Sequence, residues 1–135
     1  MSTRVEEAVK RHDRGYNCCQ AVACALAEEL GYEEQIIFGA GEGFGAGMGG
    51  MQCTCGALSG AVMAAGMKNS GRNAERLTKG STYQLSRQMA EKFQEKNGSV
   101  VCKELKGLET GKPLRSCQGC IEDAVRIAEE VLGLE

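Results

Sequence analysis

Eight cysteines in 135 residues are the part of this sequence with reactive chemistry in it. Three of them follow residues that cap helices well: Cys18 after Asn17, Cys55 after Thr54 and Cys117 after Ser116. Cys102 opens a short turn beyond Ser99. A helix N-terminus presents unpaired N–H groups and the positive end of the peptide dipoles, so a thiol placed there is expected to ionise near neutral pH. Thiolate is the form that ligates metals, attacks disulfides or holds an iron–sulfur cluster. Such placements on separate elements predict one site where helix ends converge, built from Cys18, Cys55, Cys102 and Cys117 or Cys120.

The remaining spacings leave three chemistries open. Cys117-Gln118-Gly119-Cys120 is a CxxC at a helix start. The thioredoxin dithiol shares this spacing but sits in a βαβ setting that this chain lacks. One CxxC and one CxC (Cys53-Thr54-Cys55) allow a structural zinc module without demanding it. A metal-free thiol–disulfide oxidoreductase would use Cys55 as nucleophile, with Cys18, Cys53 or Cys120 as resolving thiol. An iron–sulfur cluster for electron transfer is the leading expectation, with Cys55 and Cys18 central in either redox scheme. Cys24, among alanines, reads as a small buried hydrophobe. His12, the sole histidine, is expected on a solvated face outside any metal site.

The elements that must position these thiols read as helices throughout. A first helix fits residues 3–14, ended by Gly15, and a second follows the Asn17 cap with Cys19, Val22, Cys24, Leu26 and Leu30 inward. A short helix over residues 33–40 precedes Gly39-Ala40-Gly41-Glu42-Gly43-Phe44-Gly45-Ala46-Gly47-Met48-Gly49-Gly50, where alternating glycine predicts a loop lying close against something. Its GxGxxG match (Gly45, Gly47, Gly50) lacks the preceding strand of a dinucleotide site. A central helix after Thr54 carries Gly56, Gly60 and Ala64 on one nearly bare face, fit for close helix contact within the chain or for a homodimer. A longer helix fits residues 73–96 with Leu77, Leu85, Met89 and Phe93 inward. The last begins at the Ser116 cap. The expectation is a single all-α domain spanning residues 1–135, a helical bundle with a glycine-rich loop between the second and central helices.

Composition agrees with one globular unit: 42% hydrophobic, 25% charged, 4% aromatic and a formal net charge of −2. Mixed charges leave no basic field for nucleic acid or an anionic membrane surface. The longest weakly polar stretch, residues 57–67, is too short to span a bilayer. The charged N-terminus lacks the apolar core of a signal peptide, which leads to a cytoplasmic expectation, where thiols stay reduced.

The pattern Cys55-Gly56-Ala57-Leu58-Ser59-Gly60, with Cys18 before it and Cys102 and Cys117 or Cys120 after it, resembles the redox-active protein family named for its C_GCAxxG_C_C cysteines. The likeness extends through Tyr16-Asn17-Cys18, Thr54-Cys55-Gly56-Ala57 and Gly98-Ser99 before Cys102. It implies electron or redox chemistry. A related cysteine-bearing module in some multi-haem cytochromes implies an iron–sulfur centre on Cys18, Cys55, Cys102 and one of Cys117 and Cys120, serving a redox partner protein.

Overall fold

The computed structural model describes residues 2–135. They form seven α-helices: α1 (Thr3–Asp13), α2 (Cys18–Ala27), α3 (Glu34–Gly41), α4 (Gly56–Asn69), α5 (Lys79–Asn97), α6 (Cys102–Lys106) and α7 (Cys117–Leu132). Among the described residues there is no strand, and one isolated antiparallel bridge joins Thr54 to Val101. The all-α expectation therefore holds.

Capping residues decide where several helices begin. Ser2, Asn17 and Ser116 each accept a hydrogen bond from the backbone N–H three residues on, at 3.2, 2.9 and 2.9 Å. Asn17 and Gln20 complete a reciprocal capping box, satisfying two N–H groups that the helix itself cannot. Glycines in the left-handed region end α5, α6 and α7 at Gly98, Gly107 and Gly133.

The central helices α2 and α4 pack against each other, with α1 and α3 on α2, α5 on α4, and α7 touching α1, α2, α4 and α5. Small side chains make this approach close. A Cβ on Gly60 would stand 2.7 Å from the Cys19 carbonyl oxygen and 2.9 Å from Val22 Cβ. The glycine stripe thus receives α2 of the same chain. Val5, Val22, Leu26, Met89, Phe93, Ile121 and Val125 fill the core around this pair and are fully buried. At about 25 cal/mol per Å² of apolar surface, each such side chain contributes on the order of 1.5–3 kcal/mol.

Two ionic hubs tie helix ends together. Arg4 holds Glu29 at 2.6 Å and Glu129 at 2.8 Å, joining α1 to the end of α2 and to α7. Asp123, with no exposed side-chain surface, accepts from Lys96 at 2.8 Å and Arg115 at 3.0 Å, with Arg126 at 3.5 Å. Burial pushes its carboxyl upward, but the Lys96 and Arg115 hydrogen bonds outweigh that and hold its pKa below the ordinary value.

Three sequence expectations need correction. The long helix starts at Lys79, not residue 73, and Leu77 is 79% exposed rather than inward. An apolar residue at helical spacing does not extend a helix through Asn73, whose side-chain oxygen accepts from the Glu75 N–H at 3.0 Å and holds a turn there. Thr54 does not cap α4, because it sits in the bridge with Val101, and Cys55 itself occupies the capping position. The glycine-rich segment is not a plain loop. It coils through a 3₁₀ turn (Glu42–Phe44) and a wide turn (Gly47–Met51) with Ala46, Met48 and Met51 all at positive φ.

Candidate functional site

The helix ends meet at one cavity of about 200 Å³, lined by Cys18, Cys55, Cys102, Cys117 and Cys120 together with His12, Asn17, Lys106 and Arg115. Each thiol arrives on a different segment or turn. The Asn17 cap delivers Cys18 at the first residue of α2, and the Ser116 cap delivers Cys117 at the first residue of α7, with Cys120 one turn further along. Cys55 and Cys102 are set beside each other by two backbone hydrogen bonds flanking the Thr54–Val101 bridge. Cys55 N–H donates to the Val100 carbonyl at 2.7 Å and Cys102 N–H to the Cys53 carbonyl at 2.9 Å. The glycine-rich turn presses on this pair from outside. A Cβ on Gly47 would lie 2.5 Å from Cys102 Cβ, and its φ of +56° is one that L side chains rarely adopt.

The thiols of the cavity act on one another. Cys120 is the strongest influence on Cys55, Cys117 and Cys55 both act on Cys18, and the same two act on Cys102.

The surroundings lower the pKa of Cys55 and raise those of Cys18, Cys102 and Cys120. The hydrogen bond from Cys120 lowers Cys55 from 9.0 to about 7, against an opposing effect of burial; the N–H groups of Ala57 and Leu58 and the charge on Lys106 add to the lowering. The Cys55 sulfur faces those N–H groups from the capping position without forming a formal capping hydrogen bond. Burial pushes Cys18 up to about 12, with the nearby thiols Cys117 and Cys55 adding to it, and burial also raises Cys102. Cys120 is raised because it gives its proton's hydrogen bond to Cys55. The expectation of a lowered pKa at a helix start is thus corrected for Cys18 and Cys102, where desolvation of the sulfur exceeds the helix-end effect.

The cavity's charges come from residues the sequence left in the background. Lys106 has no carboxylate partner among the described residues, and its charge acts on Cys18, Cys55 and Cys102. Its position four residues after Cys102 places both on one face of α6, the signal that could have found it. Arg115 lines the cavity while Asp123 anchors its Nε and Nη2. Lys103, the other flanking cation, pairs with Glu109 at 3.1 Å instead. His12, expected on a solvated face, lines the cavity because α1 crosses α2 beside Cys18.

The other three cysteines lie apart from it. Cys19 is buried against Met63 with its sulfur 3.4 Å from Sδ, and Cys24 is buried with its thiol 3.8 Å from the Glu34 carbonyl. Burial pushes Cys19 up to about 12 and Cys24 up to about 11. Cys53 is exposed. Among the described residues, no three His, Cys, Asp or Glu side chains are grouped tightly enough to hold a single metal ion. No described helix is long and apolar enough to cross a membrane.

A known family covers the segments that carry this cavity. The family described as "Putative redox-active protein (C_GCAxxG_C_C)" matches residues 16–131, a span that holds all five cavity cysteines. No curated protein and no solved structure matches the chain. With nearly its whole length matched, the chain belongs to the C_GCAxxG_C_C redox-active protein family.

Proposed function

We propose that the chain is an electron carrier whose cysteine cavity holds an iron–sulfur cluster. The observation that carries this reading is the set of five thiols from α2, the α4 cap, α6 and α7 around one cavity of about 200 Å³. The donor set fits the group, since iron–sulfur clusters are held by cysteine sulfur. Cys18, Cys55, Cys102 and one of Cys117 and Cys120 would be the ligands. A bound cluster would supply reversible one-electron transfer.

The chain's own residues do the rest. Lys106 and Arg115 offset the negative charge of ligating thiolates, and the Ala57 and Leu58 N–H groups face the Cys55 sulfur, where such donors raise a sulfur centre's potential. The test is chemical analysis of protein purified without oxygen. Iron and acid-labile sulfide in stoichiometric amounts with visible absorption are expected. Colourless protein with neither iron nor sulfide ends the reading.

A second reading has its own support. The Cys55 thiol, lowered to about 7, is half ionised at neutral pH, which suits a nucleophile in thiol–disulfide exchange. Its thiolate would attack a disulfide and release one thiolate; a second cavity thiol, after losing its proton, would then attack Cys55 Sγ, closing an internal disulfide and releasing the other thiolate. A reducing compartment such as the cytoplasm suits both readings, because it keeps these thiols available. Counting free thiols before and after treatment with a small disulfide, then after reduction, tests it. A reversible loss of thiols in pairs is expected, and no loss refutes it.

A further inference from the structure

The fixed charges in the cavity wall are of one sign. Lys106 and Arg115 line it beside His12 and Asn17, and no described Asp or Glu side chain does. Arg115 is held in place from two sides. Asp123, with no exposed side-chain surface, accepts from its Nε at 3.0 Å and its Nη2 at 3.2 Å. Gly119, between the two cysteines of the CxxC, leaves room for the guanidinium, because a Cβ there would stand 2.4 Å from Nε and 2.6 Å from Cζ. Asp123 is shared with Lys96 at 2.8 Å, so it does not cancel the Arg115 charge. On α6, Lys103 is taken by Glu109 at 3.1 Å, whereas Lys106 pairs with no carboxylate among the described residues. We propose that the metal-free cavity selects a compact disulfide bearing carboxylates close to its sulfur atoms, with Lys106 and Arg115 as the residues that read its charge. The proposal deepens the thiol–disulfide reading and rests on it for its chemistry, and it does not depend on which cavity thiol attacks first.

A chain with a formal net charge of −2 gives an anion no general attraction, so the preference has to arise at the cavity itself. There it works against a handicap, because an attacking thiolate and a carboxylate repel each other. Two cations in a pocket of about 200 Å³ reverse that repulsion, since low-dielectric walls concentrate a field of one sign. The same volume restricts the choice to small molecules. In the exchange, a cavity thiolate bonds to one sulfur of the disulfide RSSR, and the other sulfur departs as a thiolate that takes up a proton. A second cavity thiol, after losing its proton, attacks the protein sulfur of the mixed disulfide and releases the second RSH. Two protein thiols lose two hydrogens and two electrons, and RSSR becomes two RSH. The leaving thiolate is itself an anion, so the same cations favour its departure.

The test uses the full metal-free chain carrying Cys53→Ser, which removes the exposed thiol outside the cavity. Loss of free thiols is followed with three small disulfides: dithiodipropionate (anionic), hydroxyethyl disulfide (neutral) and cystamine (cationic). Each rate is divided by that disulfide's rate with mercaptoethanol, so that its own reactivity cancels. The anionic disulfide is expected to lead the neutral one by about tenfold and the cationic one to be slowest, with the spread shrinking as salt is raised. Lys106→Gln should cut the anionic-to-neutral ratio several-fold and Lys106→Arg should keep it, while Lys68→Gln, in the last turn of α4, should leave it alone. A change in the thiol's own reactivity moves both rates together, so the ratio reports the reading of charge. Equal normalised rates, a lead for the cationic disulfide, or a ratio indifferent to Lys106→Gln overturns the proposal while exchange itself stands. If none of the three disulfides consumes thiols, the exchange reading falls.

Discussion

Replacing Cys120 by alanine probes the site most directly, because Cys120 is the strongest influence on Cys55. In the wild-type chain Cys55 is lowered from 9.0 to about 7. At pH 7 that makes about half of it thiolate, against about one per cent at the ordinary value, a gain of about fifty-fold in the reactive form. Nucleophilicity falls with pKa at a Brønsted slope near 0.45, which takes back about eight-fold and leaves a net rate gain of about six-fold. The position of the pH–rate curve is therefore a sharper readout than its height. Metal-free protein carrying Cys53→Ser, so that the exposed neighbour is silent, would be alkylated with iodoacetamide across pH 5–10 and the Cys55 peptide quantified. A midpoint near 7 is expected. With Cys120→Ala added, burial is opposed only by the Ala57 and Leu58 N–H groups and Lys106, and the midpoint should rise by about one unit or more. A wild-type midpoint at the ordinary value of 9.0, or no movement on removing Cys120, would refute the account of this thiol.

Three further outcomes concern the scaffold. Asp123→Ala should lower stability in urea by about 1–3 kcal/mol, less than a fully enclosed pair would cost, because its cations reach water. The carboxyl's pKa is depressed on folding, so its contribution is complete above the unfolded-state value of 3.8 and fades as pH falls through the folded one; the wild type should lose more stability on acidification than the variant. Gly60→Ala should cost about 1–3 kcal/mol by forcing α2 from α4, read as a lower urea midpoint with an unchanged slope. Leu77→Ala should change stability by less than about 0.5 kcal/mol; a larger loss in thermal unfolding would contradict its exposed position.

Local rules carried this sequence a long way. Asn17 and Ser116 announce the starts of α2 and α7 because capping is a contact between residues three apart, and the periodic apolar residues of α7 identify its buried face. Cys18, Cys55, Cys102 and Cys117 were legible from their places at element starts, Cys120 from the CxxC it shares with Cys117, and the glycine stripe of α4 from its spacing. Partnerships across the chain were not. Nothing near Thr54 in sequence reveals that it bridges Val101, which makes Cys55 rather than Thr54 the capping residue and sets it beside Cys102. His12 joins the cavity only through the crossing of α1, and Arg115 only because Asp123, eight residues away, holds it there. Ionisation was the least readable property. A helix start favours thiolate through charges a few ångströms off along the chain, whereas desolvation depends on everything packed around the sulfur. Cys18 and Cys55 share similar starts, yet one is pushed up to about 12 and the other down to about 7. The sequence alone determined which sulfur atoms gather, since capping and periodicity act over a few residues. The tertiary structure decided how the thiols act on one another and which of them is held toward its ionised form, since burial and the approach of thiols to each other exist only once distant segments meet.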